Sequence, residues 1–364
     1  MNSSHRLHSI EVLRGVAAML VVWQHSSEML ARIPEVAARG AAFAAFAWNF
    51  DFGRIGVVCF FLISGFVIPY SFPSGAAAVK SFAIRRFFRL FPAYWLSILA
   101  AIFVYRICEG KEFSLVEVLA NLTMIQGFLG VGHIQGLYWT LQVELVFYAL
   151  CVILFRCGLL WRLSIQISMC VLLLVTFFLV SVLDKYSVLG FSLSQEMRYL
   201  PYVLAIMYSG TVLRQYFFPR EGVAKFWGLS GVVLVFSIPV LVFVLSIFGL
   251  NFVEHPGRFF FGHLFGLVIF VGGFYVLRIE SRILLWLGAI SYSLYLFHPI
   301  VMKMVGLWVD KALSVGVEAT HMGVLICFIS LLTMGVASLV YRFVEMPSIA
   351  LGRHLSRGQG THVV

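Results

Sequence analysis

Ten apolar stretches, most of them about as long as a membrane crossing, follow one another along this chain. They lie near residues 10–30, 53–72, 90–106, 139–156, 164–183, 199–218, 227–249, 258–277, 284–308 and 322–343. A helix needs about 20 mostly apolar residues to cross the hydrocarbon core of a bilayer. The third and fourth stretches are short for that purpose. Charged residues make up only 12% of the 364, and hydrophobic residues 61%, whereas soluble domains carry roughly 25% charged residues. A soluble domain of this size still shows a large surface to water, and this chain has too little polar material to cover one. The sequence therefore predicts an all-α polytopic membrane bundle of about ten transmembrane helices.

The formal net charge of +10 does not point to nucleic acid. Lys and Arg sit between the apolar stretches rather than in one patch, as the positive-inside rule requires. With the N-terminus in the cytoplasm, inside loops hold 15 Lys and Arg residues and outside loops hold 9. Both termini are thus expected in the cytoplasm of a multi-pass plasma (inner) membrane protein. The first apolar run is interrupted by Arg14 and His25 and has no small-residue cleavage site, so it reads as a membrane helix, not a signal peptide. The six cysteines have no metal-like spacing and read as small buried hydrophobes. No His, Asp or Glu cluster has metal-ligand spacing. The expected organisation is a transmembrane domain over 1–347 and a short, polar, mobile cytoplasmic tail over 348–364. The longest interruption, 107–138, is expected to hold an amphipathic or re-entrant piece around Leu115–Ile125.

Polar residues inside a membrane are costly and suggest function by default. The first span, IEVLRGVAAMLVVWQH, holds two. Arg14 and His25 are 11 residues apart, which on a helix is about 20° past three full turns and a rise of about 16 Å. One stripe thus carries a guanidinium near the cytoplasmic surface and an imidazole much deeper. A snorkelling Arg and a His bonded within the bundle fit the same geometry. In GVVCFFLISGFVIPY, Ser64 and Gly65 read as small residues that let helices approach. KSFAIRRFFRLFPAYW carries Lys80, Arg85, Arg86 and Arg89, either a topology signal on anionic lipid or a phosphate clamp, a task that suits the arginine fork. In GLYWTLQVELVFYAL, Glu144 needs a partner such as His25, an Arg or a substrate hydroxyl, with Tyr138 and Trp139 beside it. ISYSLYLFHPIV places His298 directly before Pro299 in mid-span, where proline removes a backbone donor. Glu345 in YRFVEMP reads as a pairing residue at the end of the last span.

These motifs, in this order from Ile10 to Pro347, resemble the acyltransferase 3 family of membrane acyltransferases. The Arg–x10–His spacing of Arg14 and His25 is the most specific element. FFLISGF, RRFFRLFPAYW, YWTLQVELVFY, SYSLYLFHP and YRFVEMP support it. The resemblance implies O-acyl transfer, usually acetyl from cytoplasmic acetyl-CoA, to a hydroxyl of an extracytoplasmic or lipid-linked glycan such as a polysaccharide. It implies His25, Glu144 and Arg14 as catalytic residues. Arg14, Arg85, Arg86 and Arg89 would hold the acyl-CoA, and Glu144, Trp139 and His298 the acceptor. On this reading the CoA phosphates sit on the arginine cluster, and the pantetheine arm lies along the Arg14–His25 stripe. His25 acts either as general base or as an acyl-carrying nucleophile. The alternative is a transporter or flippase of a sugar or lipid-linked intermediate, which suits paired intramembrane charges but has no use for a phosphate clamp opposite a deep histidine. A channel or a structural membrane partner is the third class. No oligomeric state is written in the sequence.

Overall fold

A computed structural model of the chain describes residues 3–188, 194–218, 225–247, 255–276 and 281–357. Arg220 and Arg278, both counted among the inside-loop basic residues, and the tail 358–364 lie outside the described residues. All regular structure among the described residues is helical: α1 (Ser3–Leu30), α2 (Pro34–Ala38), α3 (Ala41–Asn49), α4 (Phe52–Val67), α5 (Ala78–Glu109), α6 (Leu115–Leu122), α7 (Trp139–Arg156), α8 (Leu163–Lys185), α9 (Gln195–Phe217), α10 (Lys225–Ile247), α11 (Pro256–Val276), α12 (Arg282–Ser314), α13 (Met322–Val340) and α14 (Met346–Arg357). Each of the ten expected segments falls on one of these helices. Among the described residues, 7 helical stretches are long and apolar enough to cross a membrane: those built on α4, α5, α7, α8, α11, α12 and α13. Of the other three, α1 carries Arg6, Glu11, Arg14 and Glu28, and α9 carries Glu196, Arg198 and Arg214. α10 contributes a shorter apolar helix, Val233–Ile247.

Three features differ from their expected form. The third span is not short. α5 begins at Ala78 and runs for 32 residues, about 48 Å at helical rise against a hydrocarbon core of about 30 Å. The basic cluster therefore rides on the first turns of the spanning helix, not in a loop before it. The last span does not stop at YRFVEMP. Pro347 has no N–H to give the Phe343 carbonyl, and the chain absorbs the defect in a five-residue π turn, Tyr341–Glu345. Such turns interrupt helices without ending them. α14 then continues to Arg357, so the first part of the expected mobile tail is an ordered helix. It is anchored on α5, where Gly352 leaves no room for a side chain against Phe88. Ser81 Oγ donates to the Ser356 carbonyl (3.3 Å), and Arg85 Nε to Ser356 Oγ (2.9 Å). Third, only Cys59, Cys151 and Cys170 are buried, while Cys157 and Cys327 are exposed.

The 107–138 excursion holds the short helix α6. Ser114 and Glu117 close a capping box around its first turn, which satisfies two orphan donors at once. Leu115, Val116 and Leu119 are exposed on it, an apolar stripe at helical spacing.

The described chain groups into two compact units. One comprises Met1–Gly56, Phe72–Tyr138 and Gly273–Val364, the other Val57–Ser71 and Trp139–Gly272. In the first, α1 packs on α12, with Gly15 set against the backbone of Leu287 and Gly288. An apolar cluster including Leu30, Val301, Val305, Met322 and Ile326 joins α1, α12 and α13. In the second, every residue of α9 from Tyr202 to Leu213 is buried, as expected of a helix surrounded by others. Gly65 of α4 lies on the backbone of Met207, and Gly210 on that of Leu62. Thr211 Oγ1 donates across this contact to the Gly65 carbonyl at 3.0 Å. Small residues here bring two backbones together, the usual basis of packing between membrane helices.

Candidate functional site

α1 is one unbroken helix, so Arg14 and His25 share a face, as their spacing requires. Glycines at the α1–α12 crossing position His25. Ten residues beyond Gly15 comes His25, and ten beyond Gly288 comes His298. Both pairs are in contact, so α1 and α12 run parallel. His25 Nδ1 lies 2.9 Å from His298 Nε2, with the ring planes 18° apart. His298 is fully buried, and its Nδ1 lies 2.7 Å from the carbonyl of Tyr295. Among the described residues no hydrogen bond is made to His25 Nε2.

Around His25 lies a polar rim that the sequence did not single out. Glu28, one turn further along α1, and Asp51 are the carboxylates that interact electrostatically with His25. Gln24 is buried, and its Nε2 donates to Glu28 Oε1 (2.8 Å) and to the Ala47 carbonyl (3.0 Å). Its Oε1 accepts the backbone N–H of Phe52 (3.1 Å). This one amide ties α1 to the end of α3 and the start of α4. Asp51 in turn holds Arg54 through its backbone N–H (2.7 Å) and Nε (3.0 Å). The only sequence signal for this group was its clustering at the end of the first span and before the second.

Further toward the start of α1, Arg14 Nη1 lies 3.4 Å from Glu11 Oε1. The arginines of α5 do not act as one set. Arg85 is tied to Ser356, and the Arg86 guanidinium lies over the Phe82 ring at 5.3 Å. Arg89 Nη1 forms an ion pair with Glu345 Oε1, and Glu345 Oε2 accepts from Ser293 Oγ at 2.6 Å. Glu345 is completely buried. The Tyr292 ring sits beneath Arg89, and its hydroxyl donates to the Leu90 carbonyl at 2.8 Å. The π turn thus aims the Glu345 carboxylate at a junction of α5 and α12. Arg89, expected on a phosphate, has at least one of its nitrogens committed to this pair.

Glu144 and Trp139 belong to the second unit. Glu144 Oε1 accepts the Tyr148 hydroxyl, one turn along α7, at 2.5 Å. Trp139 packs near Phe61, with ring centroids 6.2 Å apart.

The acyltransferase 3 family model, an acyltransferase domain, matches residues 7–342. Nodulation protein 10 of Rhizobium leguminosarum bv. viciae is 30% identical over 170 residues, which cover 40% of this chain and 43% of that protein. The chain thus matches less than half the length of this relative. No solved structure matches. The family model extends from the first helix to the π turn, and so takes in the paired His25 and His298, Arg14 on the His25 stripe and the arginines of α5. This chain therefore belongs to the acyltransferase 3 family.

Proposed function

We propose that this enzyme moves an acyl group, acetyl in the first instance, from cytoplasmic acetyl-CoA to a hydroxyl of an extracytoplasmic or lipid-linked glycan, and that His25 carries the chemistry. One observation bears most of the weight. A histidine deep on α1 shares a stripe with Arg14 and has one ring nitrogen held by a second, buried histidine, leaving the other for substrate. The excess of basic residues on one set of loops supports placing both termini in the cytoplasm of the inner membrane.

In the base form of the mechanism, His25 Nε2 takes the proton of the acceptor hydroxyl. The oxygen attacks the thioester carbonyl, the C–S bond breaks, and the departing CoA thiolate takes the proton back from Nε2–H. In the nucleophile form, Nε2 attacks the thioester carbonyl and the C–S bond breaks to release CoA thiolate; the acceptor hydroxyl then takes the acyl group from Nε2, its proton passes to the thiolate, and His25 returns to the neutral state. Arg85 and Arg86 hold the CoA phosphates, with Arg89 contributing what its pairing with Glu345 leaves over, and the pantetheine arm lies along the stripe from Arg14 to His25. Carboxylates suit a glycan because they accept hydrogen bonds from its hydroxyls. Glu144 is assigned that role, and Trp139 is proposed with it; His298, fully buried with both ring nitrogens engaged, is proposed to act on His25 rather than on the acceptor.

The test is acetyl-CoA binding to purified protein in nanodiscs, with acyl transfer to membrane glycans measured in parallel. His25→Ala should bind acetyl-CoA and transfer nothing. Arg85→Ala/Arg86→Ala should weaken binding. Full transfer by His25→Ala, or no binding of any acyl-CoA by folded protein, would refute the proposal.

A further inference from the structure

We propose that His298 is a positioning residue that fixes the tautomer of His25. It does so through a hydrogen-bond chain that ends on the Tyr295 carbonyl freed by Pro299. The chain leaves His25 Nε2 as the bare nitrogen presented to substrate. This inference rests on the reading of His25 as the reacting residue.

The chain begins at a defect in α12. In a regular helix the N–H of residue 299 would bond to the carbonyl of residue 295. Pro299 has no N–H, yet α12 runs on through it from Arg282 to Ser314. The Tyr295 carbonyl is left without its helical donor, in a buried region where an unpaired backbone carbonyl is costly. His298 Nδ1 lies 2.7 Å from that oxygen. A carbonyl can only accept, so this nitrogen carries the proton. In a neutral imidazole the other nitrogen is then an acceptor. That nitrogen, Nε2, faces His25 Nδ1 at 2.9 Å, so His25 Nδ1 must be the donor. His25 Nε2 is left with a lone pair and no hydrogen-bond partner among the described residues. Each link follows from the one before it, starting from the missing N–H of a proline.

The arrangement does for His25 what a carboxylate does for the histidine of a hydrolase triad, but with a neutral acceptor. When Nε2 takes up a proton or an acyl group, His25 becomes cationic while its Nδ1–H still donates to His298. The reacting ring keeps its orientation without a carboxylate bonded to its Nδ1. The Gly15 and Gly288 contact holds the two helices close enough for the bond to form.

The experiment is 15N magnetic resonance of histidine-labelled protein in lipid, with the His25 signals assigned by their loss in His25→Ala. His25 should show a protonated Nδ1 and a bare Nε2, and His298 the same pair of states. In His298→Phe, which fills the space but offers no acceptor, His25 should lose the fixed tautomer. The kcat should then fall on the order of 100-fold with KM for acetyl-CoA little changed; a triad histidine locked in the wrong tautomer loses about 10⁴. His298→Gln offers an amide oxygen to His25 and an N–H to Tyr295, and should recover much of the loss. A wild-type His25 protonated on Nε2, or a His298→Phe enzyme with unchanged kcat, would overturn the inference. Full activity of His25→Ala would instead refute the parent reading, and the nitrogen spectrum would still decide whether the chain exists.

Discussion

Adding one methyl group at Gly15 tests the geometry on which the site depends. A Cβ built there lies 2.8 Å from the Gly288 nitrogen and 2.9 Å from Leu287 Cβ. Carbon contacts prefer about 3.5–4.0 Å, so Gly15→Ala must push α1 and α12 apart by roughly 0.6–1 Å. The His25–His298 distance is 2.9 Å. A shift of that size carries it to about 3.5 Å or beyond, where a hydrogen bond is lost. Overpacking costs about 1–3 kcal/mol, while alanine returns about 1 kcal/mol of helix propensity over glycine. The net loss of stability is therefore about 1 kcal/mol. The control is Gly335→Ala in α13, where an added Cβ meets nothing within 4 Å; it should gain up to about 1 kcal/mol. The difference between the two variants isolates the packing penalty. Both are measured by thermal unfolding in detergent and by acyl transfer, for which a misplacement of about 1 Å can reduce the rate about 100-fold. If Gly15→Ala melts with Gly335→Ala and transfers at the wild-type rate, the α1–α12 contact does not position His25 and the reasoning fails.

Other perturbations follow from the same structure. Glu345→Ala leaves the Arg89 guanidinium without its buried partner, which should cost about 3–5 kcal/mol in unfolding free energy; an unchanged melt would mean that the pair is not buried in the membrane. Arg89→Met/Glu345→Met should be more stable than Glu345→Ala, because no charge is then left unpaired. Glu144→Ala removes the acceptor of the Tyr148 hydroxyl and should reduce transfer about 10- to 100-fold, the range for a hydrogen bond to a charged group, with Glu144→Gln in between. Full activity of the alanine variant would remove Glu144 from the mechanism. The Glu117 carboxyl is held below its usual range by the backbone N–H and hydroxyl of Ser114. Its support of α6 should therefore be fully present above the ordinary carboxylate pKa and fade as pH falls through the lowered one. Hydrogen exchange over 115–122, corrected for intrinsic rates, would show this, and Ser114→Ala, which loses the hydroxyl but keeps the backbone N–H, should weaken the pH dependence without abolishing it.

Much of this protein is written locally. The ten apolar segments specified helices because lipid leaves a spanning backbone no other partner for its polar groups, and each segment is a helix. The Arg14–His25 stripe was legible because both residues lie on one helix, whose period is fixed. His298, Glu144 and Glu345 stood out because charge and imidazole are costly in apolar runs. Where those groups find their partners was not legible. His298 is 273 residues from His25, and Glu345 is 256 residues from Arg89. No period of a helix relates positions on different helices. Those meetings depend on which backbones can approach: Gly15 against Gly288, and a π turn that absorbs Pro347 and aims Glu345 inward. The sequence alone determined the membrane, the helices and a short set of polar residues held inside them. Only tertiary structure decided that His25 faces a second histidine and that Arg89 is committed to a buried carboxylate, because packing between helices is set by the fit of whole surfaces and not by the pattern along any one of them.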